Sequence, residues 1–181
     1  MTRTKSTCLA LLAVLMSPFA ANAVPISLEF DVIATDFFLA GGDGTAVPVS
    51  PMAINFTVDF DNAANISRTM VGLTINSFNL PYVAQFAYNA TTDIMVLATN
   101  PDTAGCTITA DSFCMFISDI STVSPDLFHA QQTTSSMGFW TAGTIDYTVV
   151  TSVVTTPEPG TLALLGIGLF GMGLARRKMI V

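Results

Sequence analysis

Two cysteines, Cys106 and Cys114, are separated by seven residues in the segment CTITADSFC. In an oxidising compartment this spacing predicts a disulfide that closes a hairpin or an Ω-loop, and it is worth about 2 to 3 kcal/mol for so short a loop. Two reduced, buried thiols are the alternative. A metal pair is disfavoured, because the spacing is not C-x-x-C and one histidine cannot complete a tetrahedral set.

His129 is the only histidine, so any Ser-His-Asp or Cys-His mechanism must use it. No G-x-S-x-G elbow and no H-E-x-x-H motif accompanies it. Residues 126–132 (DLFHAQQ) are interpreted as a loop or a short helical turn, with a surface or capping histidine. We therefore expect no catalytic residue, and the chain is predicted not to be an enzyme.

Asp59 and Asp61 are two positions apart, which on a strand places both carboxylates on one face about 7 Å apart. The favoured interpretation is a solvated strand face. A weak calcium site with Asn62 or a turn carbonyl is the alternative, and a glycosidase-like pair is a remote one. Trp140 could stack on a sugar ring, but packing in the core or at a sheet edge is favoured. We expect no cofactor.

The N-terminal residues 1–23 have the pattern of a secretory signal peptide. Arg3 and Lys5 precede the apolar run CLALLAVLM, and Ala21 and Ala23 provide a small-x-small cleavage site. The mature chain is expected to begin at Val24.

The C-terminal segment contains a second apolar run, residues 160–175 (GTLALLGIGLFGMGLA). Sixteen helical residues span roughly 24 Å, somewhat less than a bilayer core of about 30 Å. The basic stop formed by Arg176, Arg177 and Lys178 can snorkel and keeps this end in the cytoplasm. The segment predicts one transmembrane helix that anchors an exported precursor in the inner membrane.

Pro157, Glu158 and Pro159 directly precede this run, and two prolines favour an extended, accessible tripeptide. Pro-Glu-Pro, a Gly- and Leu-rich helix and a terminal Arg-Arg-Lys cluster together resemble the PEP-CTERM sorting signal of Gram-negative bacteria. The resemblance covers residues 157–181 and implies processing by an exosortase-type enzyme, with the tripeptide as the recognition motif. It implies no catalytic role for this chain.

Residues 24–156 are predicted to form one extracytoplasmic domain, an all-β antiparallel sandwich. Apolar and polar residues alternate in the first two runs, Ile26–Val32 and Ile54–Asp61. Further strands are expected at 69–78, 82–88, 93–98 and 144–154, separated by turns rich in Gly, Pro, Asn and Asp.

This domain carries twelve acidic residues against the single cation Arg68, a net charge of −11. Such a field repels phosphate backbones and excludes nucleic-acid binding. We expect a structural or adhesive protein of the cell surface or extracellular matrix, released or attached after processing. The alternative is a secreted module that binds carbohydrate, such as an extracellular polysaccharide, or calcium.

Overall fold

A computed structural model of the chain describes residues 25–153. The predicted signal peptide, C-terminal helix, Pro-Glu-Pro motif and basic stop lie outside the described residues. Within 25–153, no helix is long and apolar enough to cross a membrane. The strands are β1 (Pro25–Thr35), β2 (Phe38–Gly41), β3 (Met52–Asp61), β4 (Ile66–Thr69), β5 (Leu73–Phe78), β6 (Gln85–Asn89), β7 (Ile94–Ala98), β8 (Ser112–Ser118), β9 (Asp126–Thr133), β10 (Phe139–Thr141) and β11 (Thr144–Val153).

The first sheet has four strands in the order β11-β1-β3-β5, and every pairing in it is antiparallel. Its alternation follows the sequence directly. On β1 and β3 the apolar set faces inward and is buried, while Glu29, Asp31 and Asp59 face outward and are exposed. One face of this four-stranded sheet is therefore buried and the other is exposed to solvent, as the alternation of apolar and polar residues requires.

The second sheet has seven strands in the order β2-β10-β9-β8-β7-β6-β4, again entirely antiparallel. Its central strands do not alternate between buried and exposed positions. Four consecutive residues of β7, Met95 to Ala98, are all buried. Both faces of this seven-stranded sheet are therefore covered in its middle.

The inner faces of the two sheets share one hydrophobic core. Aromatic rings bridge the sheets: Phe60 on β3 lies 4.9 Å from Tyr88 on β6, and Phe78 on β5 lies 4.8 Å from Phe113 on β8. Such pairs contribute about 0.5 to 1.5 kcal/mol beyond their buried area. The expected all-β class with antiparallel sheets is confirmed, and the shared core is what a sandwich requires.

Two sequence-based expectations about strands are wrong. Residues 126–132 form most of β9, a strand with a bulge opposite Phe116, and not a loop or a helical turn. Of the strand expected at 69–78, only Leu73–Phe78 form a continuous strand, β5; a tight turn in which Leu73 N donates to Met70 O separates it from Thr69, the last residue of β4. Gly72 permits this turn: its φ is +83°, and a Cβ there would collide with Asp59 O.

Candidate functional site

Cys106 and Cys114 form a disulfide, with their Cα atoms 6.3 Å apart. Cys114 lies on β8, and Cys106 lies in the segment 99–111 that connects β7 to β8, which we call the stapled loop. Val96, Ala98 and Cys114 form a small apolar cluster with Cys106 packed against them. Since the inward side chains of β7 are Met95 and Leu97, this cluster lies on the outer face of the seven-stranded sheet. The disulfide thus holds the loop over that face.

The stapled loop has its own internal hydrogen bonds. Asp102 N donates to Gly105 O at 2.8 Å, and Asp102 Oδ1 accepts from the backbone N–H groups of Ala104 and Gly105 at 2.7 Å each. Thr107 N donates to Asn100 O, and Asn89 Nδ2 reaches Thr103 O from the end of β6. These bonds give the loop a defined shape that does not depend on the disulfide alone.

A polar cleft of about 350 Å³ opens between the stapled loop and the edge strand β4. Its lining consists of Ser67 and Arg68 from β4 and four residues of the loop, Pro101, Asp102, Thr103 and Thr107. Arg68 Nη1 donates to Asn100 Oδ1 at 3.2 Å and so joins the two walls. No local sequence motif marks these residues, although Arg68 is the only Lys or Arg of residues 24–156.

His129 lies half-buried on β9, on the outer side of the seven-stranded sheet. Its ring meets Phe116 edge-on at 5.5 Å, and Nε2 is 3.4 Å from Gln131 Oε1. Within residues 25–153 its partners are an aromatic ring and a neutral amide, and no carboxylate hydrogen-bonds to the imidazole.

Asp59 and Asp61 both lie on the exposed face of β3, as the spacing predicts. Asp61 Oδ1 accepts from Ala63 N at 2.7 Å and caps the turn that follows β3. In the register of the sheet, Asp59 stands opposite Ser27 and not opposite another acid. Among residues 25–153, no three His, Cys, Asp or Glu side chains come together as a metal-binding group.

Trp140 lies half-buried on β10, next to the edge strand β2. Its Nε1 is buried and has no hydrogen-bond partner among the described residues. Four strands separate β10 from β4 in the sheet, so Trp140 is remote from the polar cleft.

A cluster of Tyr88, Asp93 and Ser121, which no local sequence motif marks, joins two turns. Asp93 accepts a hydrogen bond from Tyr88 Oη at 2.9 Å and others from Ser121 N and Oγ. Burial, and then the hydrogen bond and the charge of Asp93, raise the pKa of Tyr88 above its usual value. This group fixes the β6–β7 turn to the β8–β9 turn, a structural role.

Strand β11 is the last element of the described chain. Val153 at the end of β11 pairs with Ile26 near the start of β1, so both ends of the described chain lie at the same end of the four-stranded sheet. Pro157 follows Val153 by four positions.

Comparison with known proteins identifies the segment that follows β11. No curated protein and no solved structure matches the chain. The family model of the PEP-CTERM protein-sorting motif matches residues 155–178, a range that includes Pro157, Glu158, Pro159 and the basic stop. The resemblance inferred from the sequence is confirmed, and the chain carries the signal of a secreted protein that is sorted by an exosortase-type enzyme.

Proposed function

We propose that this chain is a non-enzymatic, structural or adhesive protein of a Gram-negative cell surface or extracellular matrix. It is exported by residues 1–23, cleaved after Ala23, held in the inner membrane by its C-terminal helix and then processed at Pro157–Pro159. The observation that carries the proposal is the sorting motif at 155–178, directly behind the last strand.

The geometry of the domain supports this order of events. Residues 26 and 153 are paired, so the two membrane-directed segments start from one end of the four-stranded sheet. A folded domain can therefore be attached to one membrane by either end. Only three residues separate Val153 from Pro157, so the sorting motif follows the last strand without a long linker.

The composition of the domain supports a passive role outside the cell. We propose that the domain is a β-sandwich. Its disulfide is of the kind that forms in an oxidising compartment. Acids on the outer face of the four-stranded sheet stand opposite uncharged residues, for example Glu29 between Thr57 and Val150. Such spacing avoids like-charge pairs and keeps the face solvated.

Replacing the recognition tripeptide tests the sorting step. We expect Pro157→Ala combined with Glu158→Ala and Pro159→Ala to leave the chain in the inner-membrane fraction, measured by immunoblotting of separated envelope fractions and medium. Thr148→Ala, at an exposed position of β11, is the control and should be sorted normally. Surface delivery of the triple variant at the rate of the control would refute the proposal.

A further inference from the structure

We propose that the polar cleft between β4 and the stapled loop is a binding site for an uncharged saccharide, with Arg68 and Asp102 as its principal polar contacts. This inference goes beyond the sorting function and holds whether or not the chain is processed at Pro157–Pro159.

The size of the cleft fits a small ligand. Its volume of about 350 Å³ lies at the lower end of the range of about 300 to 1,000 Å³ that is typical of small-molecule sites. Most such sites are lined by apolar side chains. Here five of the six lining residues carry a hydroxyl, a carboxylate or a guanidinium group, and Pro101 is the exception. The ligand must therefore be polar over most of its surface.

The walls of the cleft are held in place before any ligand arrives. The disulfide attaches Cys106 to Cys114 on β8. Pro101, which lines the cleft, forms an isolated antiparallel β-bridge with Cys106. Asp102 Oδ1 is engaged by two loop N–H groups, which leaves Oδ2 as an acceptor. Arg68 uses Nη1 on Asn100, which leaves its other N–H groups as donors. A preorganised site loses little conformational entropy on binding.

The charges around the cleft select against ions. A net charge of −11 over residues 24–156 opposes the approach of anions, and Asp102 adds a negative charge within the lining itself. Arg68 in the same lining opposes a cation. A neutral ligand with closely spaced hydroxyl groups avoids both penalties: guanidinium N–H groups donate to its oxygens, while a carboxylate oxygen and the hydroxyls of Ser67, Thr103 and Thr107 accept from its O–H groups.

Saturation-transfer NMR and calorimetry on the full chain, purified in a detergent without a sugar headgroup, test the proposal. The probes are cellobiose, maltose, lactose and N,N′-diacetylchitobiose, with digalacturonic acid as the charged comparison. We expect at least one neutral disaccharide to bind with a Kd of about 1 mM and digalacturonic acid to bind more weakly. Arg68→Gln should raise the Kd of the neutral disaccharide by about tenfold or more.

A matched pair of variants separates the cleft from the general charge of the domain. Asp102→Asn keeps a side-chain oxygen that can accept from the N–H groups of Ala104 and Gly105, but it removes the negative charge. It should raise the Kd of the neutral disaccharide severalfold. Asp43→Asn makes the same change in another loop, where Oδ1 accepts from Thr45 N, and binding should be unchanged. Circular dichroism verifies that each variant is folded. The proposal is wrong if no neutral probe binds at about 10 mM, if digalacturonic acid binds best, or if folded Arg68→Gln binds as the parent chain does.

Discussion

The outer faces of the two sheets are built in opposite ways. On the four-stranded sheet, outward side chains such as Glu29, Asp31 and Asp59 are exposed. On the seven-stranded sheet, the outward side chains of Ala87, Val96 and Cys114 are almost completely buried. Cys106 of the stapled loop contributes to this cover, because it packs with Ile94 and Phe116 against the cluster of Val96, Ala98 and Cys114. Strand alternation alone therefore explains the first sheet, whereas the second also depends on a loop and a disulfide.

The largest expected effect tests the hydrophobic core that the inner faces of both sheets share. Phe56 is fully buried, and its ring stacks on Phe30 with the centroids 5.0 Å apart. Phe56→Ala should lower the free energy of unfolding by about 3 to 5 kcal/mol, because it leaves a cavity that a sheet cannot close. Thr57→Ala, the next residue on the outer face, should change it by less than about 0.5 kcal/mol. Similar losses at both positions in denaturant titrations would contradict a one-sided sheet.

Removal of the disulfide should affect the seven-stranded sheet selectively. Cys106→Ser with Cys114→Ser should lower the free energy of unfolding by about 2 to 3 kcal/mol, because the unfolded chain regains the freedom of the loop. The freed loop should also expose backbone amides of β7 and β8. Hydrogen exchange should therefore accelerate in these strands and remain slow in β1 and β3. An equal acceleration in both sheets would show that the loop does not act locally.

A pair of outward-facing valines compares the two outer faces directly. Val96 on β7 is 1% exposed, and Val150 on β11 is 59% exposed. Val96→Ala should cost about 2 kcal/mol, since two buried methyl groups are lost and a small cavity remains. Val150→Ala should cost less than about 0.5 kcal/mol. Chemical denaturation of both variants measures the difference, and equal costs would remove the distinction between the faces.

The smallest expected effect is the pH dependence from Tyr88. Its raised pKa means that the folded state keeps the phenol protonated above pH 10, where the unfolded state releases the proton. The contribution of Tyr88 to the free energy of unfolding should therefore be constant below about pH 9 and fall as the pH rises through 10 and above. Tyr88→Phe should cost about 1 kcal/mol at pH 7, through the lost bond to Asp93, and should make the alkaline decline shallower.

Tyr82 should add to the alkaline sensitivity of the domain. Burial, and then the charge of Asp111, raise its pKa as well. Tyr88→Phe should therefore reduce the decline above pH 10 without abolishing it. An unchanged decline in thermal melts of Tyr88→Phe would show that the Tyr88–Asp93 bond does not control this dependence.

The difference between the sheets also explains what could be predicted from the sequence. Strands β1, β3 and β11 were predicted because each has one face exposed to solvent, so that their apolar residues alternate with polar ones. Burial on both faces did not by itself prevent a prediction, since β7 was predicted as a short apolar run at 93–98. Strand β8 was missed because its sequence, SFCMFIS, begins and ends with serine and shows no alternation. Strand β9 was misinterpreted because its bulge places Phe128 and His129 in succession opposite Phe116 and interrupts the period of two.

The candidate sites show the same contrast. The sorting motif and the disulfide were predictable, since their chemistry depends on residues that are adjacent or nearly adjacent in the chain. The polar cleft was not, because it combines Arg68 with loop residues more than thirty positions away. Only the pairing of β4 with β6 brings that edge beside the stapled loop, and no local pattern encodes this pairing.

Intact-mass spectrometry of the protein from envelope fractions and medium, in strains with and without the sorting enzyme, tests the central claim most directly. With the enzyme, the account predicts a chain that begins at Val24 and ends at or next to Pro157–Pro159. Without it, the chain should begin at Val24 and retain Val181. A mature chain that begins at Met1, or one that retains Val181 when the enzyme is present, would contradict the account.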